Sequence, residues 1–260
     1  MYHISMKLVI KDEKKCNLFK TLFTLLPTIA DEVDIHVNNE QVFIQAMDMA
    51  HICLYELKLK REWFDSYDEI EKEEVYGIKL SLISKIMTCF KNHFEIHIYD
   101  GKTDIMCFDF VSEKMSKSFE VNLMDIQVDM LSVPVVDHDV DMEVSSSMIL
   151  SLVNEMNNFG EVVNINAIEE TFNLESKCNK LESTMKVKID IDDFTSYSIV
   201  EDGVVDGDFS LSQFQKIVSF SKLTEITNIY FSNDLPVQIG FDFDENSGIN
   251  FWLSPRVEDD

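Results

Sequence analysis

Apolar residues recur along this chain with two spacings, and the switch between them marks out its elements. Four stretches have helical spacing. Leu18, Phe19, Leu22, Phe23, Leu25 and Leu26 form one stripe, and Leu82, Ile83, Ile86, Met87 and Phe90 a second. Met148, Ile149, Leu152, Val153 and Met156 form a third, and Leu211, Phe214, Ile217 and Val218 a fourth. Recurrence at three and four residues gathers side chains on one face, so each stretch predicts an amphipathic helix of about three turns. Much of the remainder alternates apolar and polar residues, as at 33–37, 94–98 and 185–189. Alternation sends every second side chain to the same side of a strand. Asp100-Gly101, just after the second of these runs, is a hairpin-turn pair. The pattern predicts an α+β chain with short helices covering one face of antiparallel sheets.

The pattern is also written twice. Residues 77–86 read GIKLSLISKI and residues 208–217 read DFSLSQFQKI, so Leu80, Ser81, Lys85 and Ile86 fall on Leu211, Ser212, Lys216 and Ile217. Farther on, Phe108-Asp109-Phe110 returns as Phe241-Asp242-Phe243. A period of about 130 residues is too long for a solenoid repeat and predicts two copies of one domain. At 260 residues and 45% hydrophobic, the chain can give each copy its own core.

Composition narrows the classes. Gly (7) and Pro (4) are too few for a long flexible linker. The five cysteines, Cys16, Cys53, Cys89, Cys107 and Cys178, are odd in number and show no CxxC spacing. This argues against a disulfide framework or a zinc site and for small apolar core residues in a reducing compartment. No apolar block suits a signal peptide or a membrane span, so a soluble intracellular protein without membrane partners is expected.

Charge changes the picture more. With 22 basic and 48 acidic residues the net charge is −26, which taken globally argues against nucleic acid. The acids are segregated, however. Residues 16–26, 81–91, 146–158 and 210–223, which cover the four helical stretches, total 49 and at the chain average should hold about nine acids. They hold one, Glu155, beside five lysines: Lys20, Lys85, Lys91, Lys216 and Lys222. Helix propensity does not explain this, because Glu is a good helix former. Exposed faces of Lys, Ser, Thr, Asn and Gln suit contact with phosphates, which position a duplex without reading its sequence.

The run Ile44-Gln45-Ala46-Met47-Asp48-Met49-Ala50-His51-Ile52, continuing to Trp63-Phe64-Asp65-Ser66-Tyr67, resembles the proliferating cell nuclear antigen family of sliding clamps. Three further blocks agree, in the family's order. Leu123-Met124-Asp125 with Leu131-Ser132-Val133-Pro134 resembles its interdomain connector, and Asp234-Leu235-Pro236-Val237 its late loop. Leu253-Ser254-Pro255-Arg256-Val257 with terminal acids resembles its tail. The resemblance spans essentially the whole chain. It implies a homotrimeric ring of six similar domains, with four helices per chain lining the hole and antiparallel sheets outside. It also implies an N-terminal clamp domain at 1–119, a connector at 120–137 and a C-terminal clamp domain at 138–260. The implied function is a processivity factor that encircles duplex DNA, tethers a replicative DNA polymerase and recruits repair proteins. A clamp loader and proteins bearing a clamp-interacting motif are the further partners. The location would be the nucleus, or a viral replication compartment.

The resemblance assigns residues. Lys20, Lys85, Lys216 and Lys222 are candidates for the hole; several positions that are basic in the family are neutral here, at Thr88, Ser151, Asn154 and Gln215. Candidates for the partner pocket are Met47, His51, Ile52, Leu131, Val133, Pro134, Pro236 and Trp252, with the backbone of Leu253, Ser254 and Pro255. Met and Pro suit an adaptable apolar floor and Trp252 a wall. The connector alternates apolar and acidic residues through Val128, Asp129, Leu131 and Val133. Subunit pairing would use Phe119 on one edge strand and Met185 and Lys186 on another, since edge strands carry unpaired backbone groups. Where family members often carry a ubiquitin-modified lysine, this chain has Glu169. No cofactor, metal or catalytic motif is expected; His93 and His97 are four apart in a strand, unlike a metal-binding helical pair. Three other readings stay open: a heteromeric checkpoint-type subunit or monomeric viral processivity factor, an acidic interaction scaffold that never touches DNA, and a metal-dependent hydrolase using clustered carboxylates.

Overall fold

The computed structural model describes residues 6–101, 104–126, 129–178 and 182–256. Val128 and the tail from Val257 onward lie outside the described residues. Contacts divide the chain into two units. The first comprises Met1–Met49, Glu56–Leu131 and Asp244–Gly248; the second comprises Ala50–Tyr55, Ser132–Phe243 and Ile249–Asp260.

Eleven elements come first in the chain: β1 (Lys7–Ile10), α1 (Glu13–Leu25), β2 (Glu32–Val37), β3 (Gln41–Met47), β4 (Cys53–Lys60), β5 (Ser66–Tyr67), β6 (Glu74–Lys79), α2 (Leu80–Met87), β7 (Glu95–Asp100), β8 (Ile105–Val111) and β9 (Ser116–Asn122). The next eleven repeat the sequence of types: β10 (Val140–Ser145), α3 (Ser146–Met156), β11 (Val162–Ile168), β12 (Thr171–Cys178), β13 (Ser183–Asp190), β14 (Ser196–Ile199), β15 (Val204–Ser210), α4 (Leu211–Val218), β16 (Ile226–Phe231), β17 (Val237–Asp242) and β18 (Gly248–Leu253). Strand order repeats as well. β5-β1-β7-β8-β9 in the first set corresponds member for member to β14-β10-β16-β17-β18 in the second, and β4-β3-β2-β6 to β13-β12-β11-β15. The two GIKLSLISKI-like segments occupy the same place in each set, at the β6–α2 and β15–α4 junctions. The Phe-Asp-Phe tripeptides start in β8 and at the end of β17.

In each unit two helices pack side by side, α1 on α2 and α3 on α4. α4 buries Leu211, Phe214, Ile217 and Val218, the residues its spacing predicts. α2 departs from expectation: it buries Leu80, Ile83, Ile86 and Met87, while Leu82 stays 41% exposed. Leu80, at the strand-to-helix junction, reaches the core first and turns Leu82 outward. α1 starts at Glu13, three residues before the stretch 16–26 read from the sequence, because Asp12 accepts the Lys15 N–H at 2.9 Å and caps the helix. It ends where Pro27 removes a backbone donor, and the Thr28 hydroxyl binds the Leu25 carbonyl at 2.7 Å. The one polar residue α3 buries, Ser146, is satisfied by the Thr227 hydroxyl at 2.8 Å, which also lies 3.3 Å from that of Ser221.

Candidate nucleic-acid interface and partner surface

The four helices contain five lysines, Lys14, Lys15, Lys20, Lys85 and Lys216, against two acids, Glu13 and Glu155. Carboxylates are used at helix starts instead. Asp12 caps α1, and Asp31 takes the Ser81 N–H at 2.7 Å and the Ser81 hydroxyl at 3.2 Å at the start of α2. There a negative group meets unpaired N–H groups and the positive end of the helix dipole.

Among the lysines predicted to meet DNA, Lys85 and Lys222 are exposed, whereas Lys20 and Lys216 are half-buried. Lys20 lies along apolar surface, its Nζ 5.9 Å from the centre of the Phe90 ring. Lys222 lies beyond α4, in the tight turn Ser219–Lys222, and Lys91 lies past the end of α2. The hydroxyls between these cations are occupied. Thr21 donates to Asn17 O at 2.8 Å, Thr24 to Lys20 O at 2.7 Å, Thr88 to Lys85 O at 2.7 Å and Ser219 to Lys216 O at 2.6 Å. Two of the neutral positions pair with each other, Gln215 Nε2 donating to Asn154 Oδ1 at 2.9 Å across α4 and α3, and Ser151 donates to Glu155 at 3.0 Å.

β9 and β13 each end a sheet. Their side chains alternate between half-buried and exposed until near the end of the strand, so both faces remain partly open. Phe119 rests on Phe110 with ring centres 5.4 Å apart. Met185 is half-buried, and Lys186 binds Glu175 at 2.8 Å, as Lys177 does at 2.8 Å. Hydrogen bonds from these two ammonium groups hold the Glu175 carboxyl below its usual range. Lys117 of β9 donates to Cys89 O at 2.7 Å, just past the end of α2.

The proposed partner residues fall in both units. In the first unit, Met47 is half-buried and Leu131 is 48% exposed. The side chain of Gln45, two residues before Met47, holds both backbone groups of Leu131. In the second unit, His51 is exposed with a positive φ of 57°, and Ile52 O accepts the Ser254 N–H at 2.9 Å. Val133, Pro236, Trp252, Ser254 and Pro255 are half-buried, Pro134 is exposed and Leu253 is buried. Met49, 99% exposed, and Gln45 lie in the run that carries the resemblance but are not among the candidates assigned from it. Glu169 Oε1 accepts the Asp202 N–H at 3.0 Å, a role lysine cannot fill. His97 Nε2 lies 3.0 Å from Glu95 in β7, and His93, which precedes that strand, stacks on Phe94. Among the described residues, no group of three or more His, Cys, Asp or Glu side chains is placed to hold a metal ion, and no helix is long and apolar enough to cross a membrane.

Comparison with known proteins bears on this arrangement. Residues 10–131 match the family model of the proliferating cell nuclear antigen N-terminal domain, and residues 132–256 match that of the C-terminal domain. The chain belongs to the proliferating cell nuclear antigen family. Its relatives include the proliferating cell nuclear antigen of Dictyostelium discoideum, 24% identical over 252 residues, covering 94% of this chain and 97% of that protein. Another is a probable DNA polymerase sliding clamp 2 of Paramecium bursaria Chlorella virus 1, 26% identical over 249 residues, covering 93% and 88%. Two solved family structures share the fold. That from Thermococcus kodakaraensis has a TM-score of 0.87 at 17% identity, covering 96% of this chain and 100% of the other. That from Entamoeba histolytica has a TM-score of 0.86 at 21% identity, covering 98% and 100%. Two domains, four helices and antiparallel sheets are thus features of a known clamp fold.

Proposed function

We propose that this chain is a DNA sliding clamp, a ring of three copies that encircles duplex DNA and tethers a DNA polymerase. The observation that carries the reading is the segregation of charge: helix flanks with five lysines and two acids, on a chain of net charge −26. Such a surface attracts phosphates weakly and without sequence preference, while the acidic remainder repels them. Topological closure removes the need for tight binding, and weak contacts let the ring move.

In this reading Lys20, Lys85, Lys216 and Lys222 face the duplex. β9, with Phe119, pairs with β13, with Met185 and Lys186, of the next copy, and their open edges supply the backbone groups. The head-to-tail contact closes a ring if its rotation fits. The stretch 120–137 acts as the connector between clamp domains 1–119 and 138–260. Client proteins, a polymerase and a loader among them, offer apolar and aromatic side chains to Met47 and Leu131 of the first unit, and to His51, Ile52, Val133, Pro134, Pro236, Trp252 and the backbone of Leu253–Pro255 of the second. The site of action is the nucleus or a viral replication compartment.

The test is loading onto circular DNA. The loaded protein should stay on closed plasmid through gel filtration and leave once the plasmid is cut. Equal retention on cut and closed DNA refutes encirclement; no retention on either leaves an acidic scaffold as the better reading.

A further inference from the structure

We propose that Gln45 is a positioning residue that presets the connector for partner capture; this rests on the reading of Met47 and Leu131 as client-facing. Gln45 lies on β3. Residues two apart on a strand share a side, so Gln45 and Met47 point the same way. Its amide makes three bonds. Oε1 accepts the Leu131 N–H at 2.7 Å, and Nε2 donates to Leu131 O at 2.8 Å and to Glu56 Oε1 at 3.0 Å. The last bond fixes the orientation of the amide. A carboxylate only accepts, so it must face the nitrogen end, and the oxygen is left for the Leu131 N–H. Glu56, on β4, is itself held by Lys58 at 3.0 Å. A chain of side chains, Lys58 to Glu56 to Gln45, thus runs from the sheet to the connector.

What the clamp grips matters as much as how. It takes the main chain of Leu131 and leaves the residue 48% exposed, with an aliphatic side chain on a fixed backbone. Seven residues earlier the chain is fixed by the Met124 N–H on Gly77 O at 2.8 Å. A connector free to leave β3 would present Leu131 only part of the time, and apparent affinity falls by the fraction of time the competent form is absent. Other polar side chains fit the place less well. Asn is shorter by one carbon, Lys has no acceptor, and Glu has no donor for Leu131 O and would repel Glu56.

The test compares wild type, Gln45→Ala, Gln45→Glu and the exchange Gln45→Glu/Glu56→Gln. Amide hydrogen exchange at Leu131 is read first. The second measurement is affinity for a synthetic peptide with one aliphatic and two aromatic residues on a single helical turn. Gln45→Ala should speed Leu131 exchange about tenfold, the loss of roughly one hydrogen bond, and weaken the peptide by a similar factor. Its thermal midpoint should stay within about 2 °C of wild type, since the clamp lies outside the core. The exchanged pair should recover part of both effects, because the carboxylate placed at position 45 still accepts from the Leu131 N–H and the amide placed at position 56 donates to that carboxylate. Unchanged Leu131 exchange in Gln45→Ala overturns the clamp. Altered exchange with unchanged peptide affinity overturns its role in capture. A wild type that binds no such peptide overturns the client-surface reading, and this proposal with it.

Discussion

Replacing Lys85 and Lys222 with alanine removes two of the four lysines assigned to the duplex at little cost to folding. Both side chains are exposed, and in α2 alanine is at least as good a helix former as the Lys85 it replaces. A water-separated ammonium about 7 Å from a phosphate gains roughly 0.6 kcal/mol at an effective dielectric near 80. If the ring's lysines engage about six phosphates at once, the log-log salt dependence of binding has a slope near −5. The double substitution should bring it to about −2.5. Loss of about three contacts should weaken binding at fixed salt by about 1.8 kcal/mol, or roughly 20-fold. Fluorescence anisotropy of a short linear duplex between about 50 and 200 mM salt reads both quantities. Lys72→Ala is the control, since Lys72 is exposed between Glu71 and Glu73 and on no helix. A variant with the wild-type slope, or a control that lowers it equally, would refute the assignment of these lysines to DNA.

Three other outcomes are expected. Met185→Glu on the open edge of β13 should reduce the solution mass from about 90 kDa to the 30.1 kDa of one chain at micromolar concentration, read by light scattering, with the helical circular dichroism intact. Gly77→Ala should lower the urea midpoint strongly, because a Cβ there would lie 2.2 Å from Met124 O and must push the chain off β6. Alkaline stability should depend on Cys16, whose thiol is pushed from 9.0 up to about 12, first by burial and then by nearby carboxylates. A thiol that ionises more readily in the unfolded chain contributes stability that is complete below pH 9.0 and lost as pH rises toward about 12. Urea midpoints for Cys16→Ala should fall less steeply across that range than those of wild type.

Much of this architecture is legible in the sequence because it depends on local spacing. The α4 stripe is buried residue for residue, and the twofold writing of the chain reappears as two matching strand orders. Local rules failed where an element's phase is set by its neighbour. Leu82 fits a helical stripe, yet Leu80 enters the core from the strand junction and rotates the helix. The start of α1 was readable in principle, since Asp12 ahead of a helical period is an N-cap pattern. Gln45 was not: its partner Leu131 lies 86 residues away, and nothing near either residue announces the other. The positive φ at His51 likewise belongs to a backbone path that side-chain patterns do not encode.

The hydroxyls along the helices carry a consequence for motion. Thr21, Thr24, Thr88 and Ser219 each spend their single proton on a carbonyl of their own helix. A phosphate offers only acceptors, so these groups have nothing left to give it. The lysines offer charge at the tips of flexible side chains, which varies slowly with position and can follow a passing phosphate. If the helices face a duplex as proposed, the barriers between successive phosphates stay shallow, and a ring built on such a surface would diffuse quickly without having to let go.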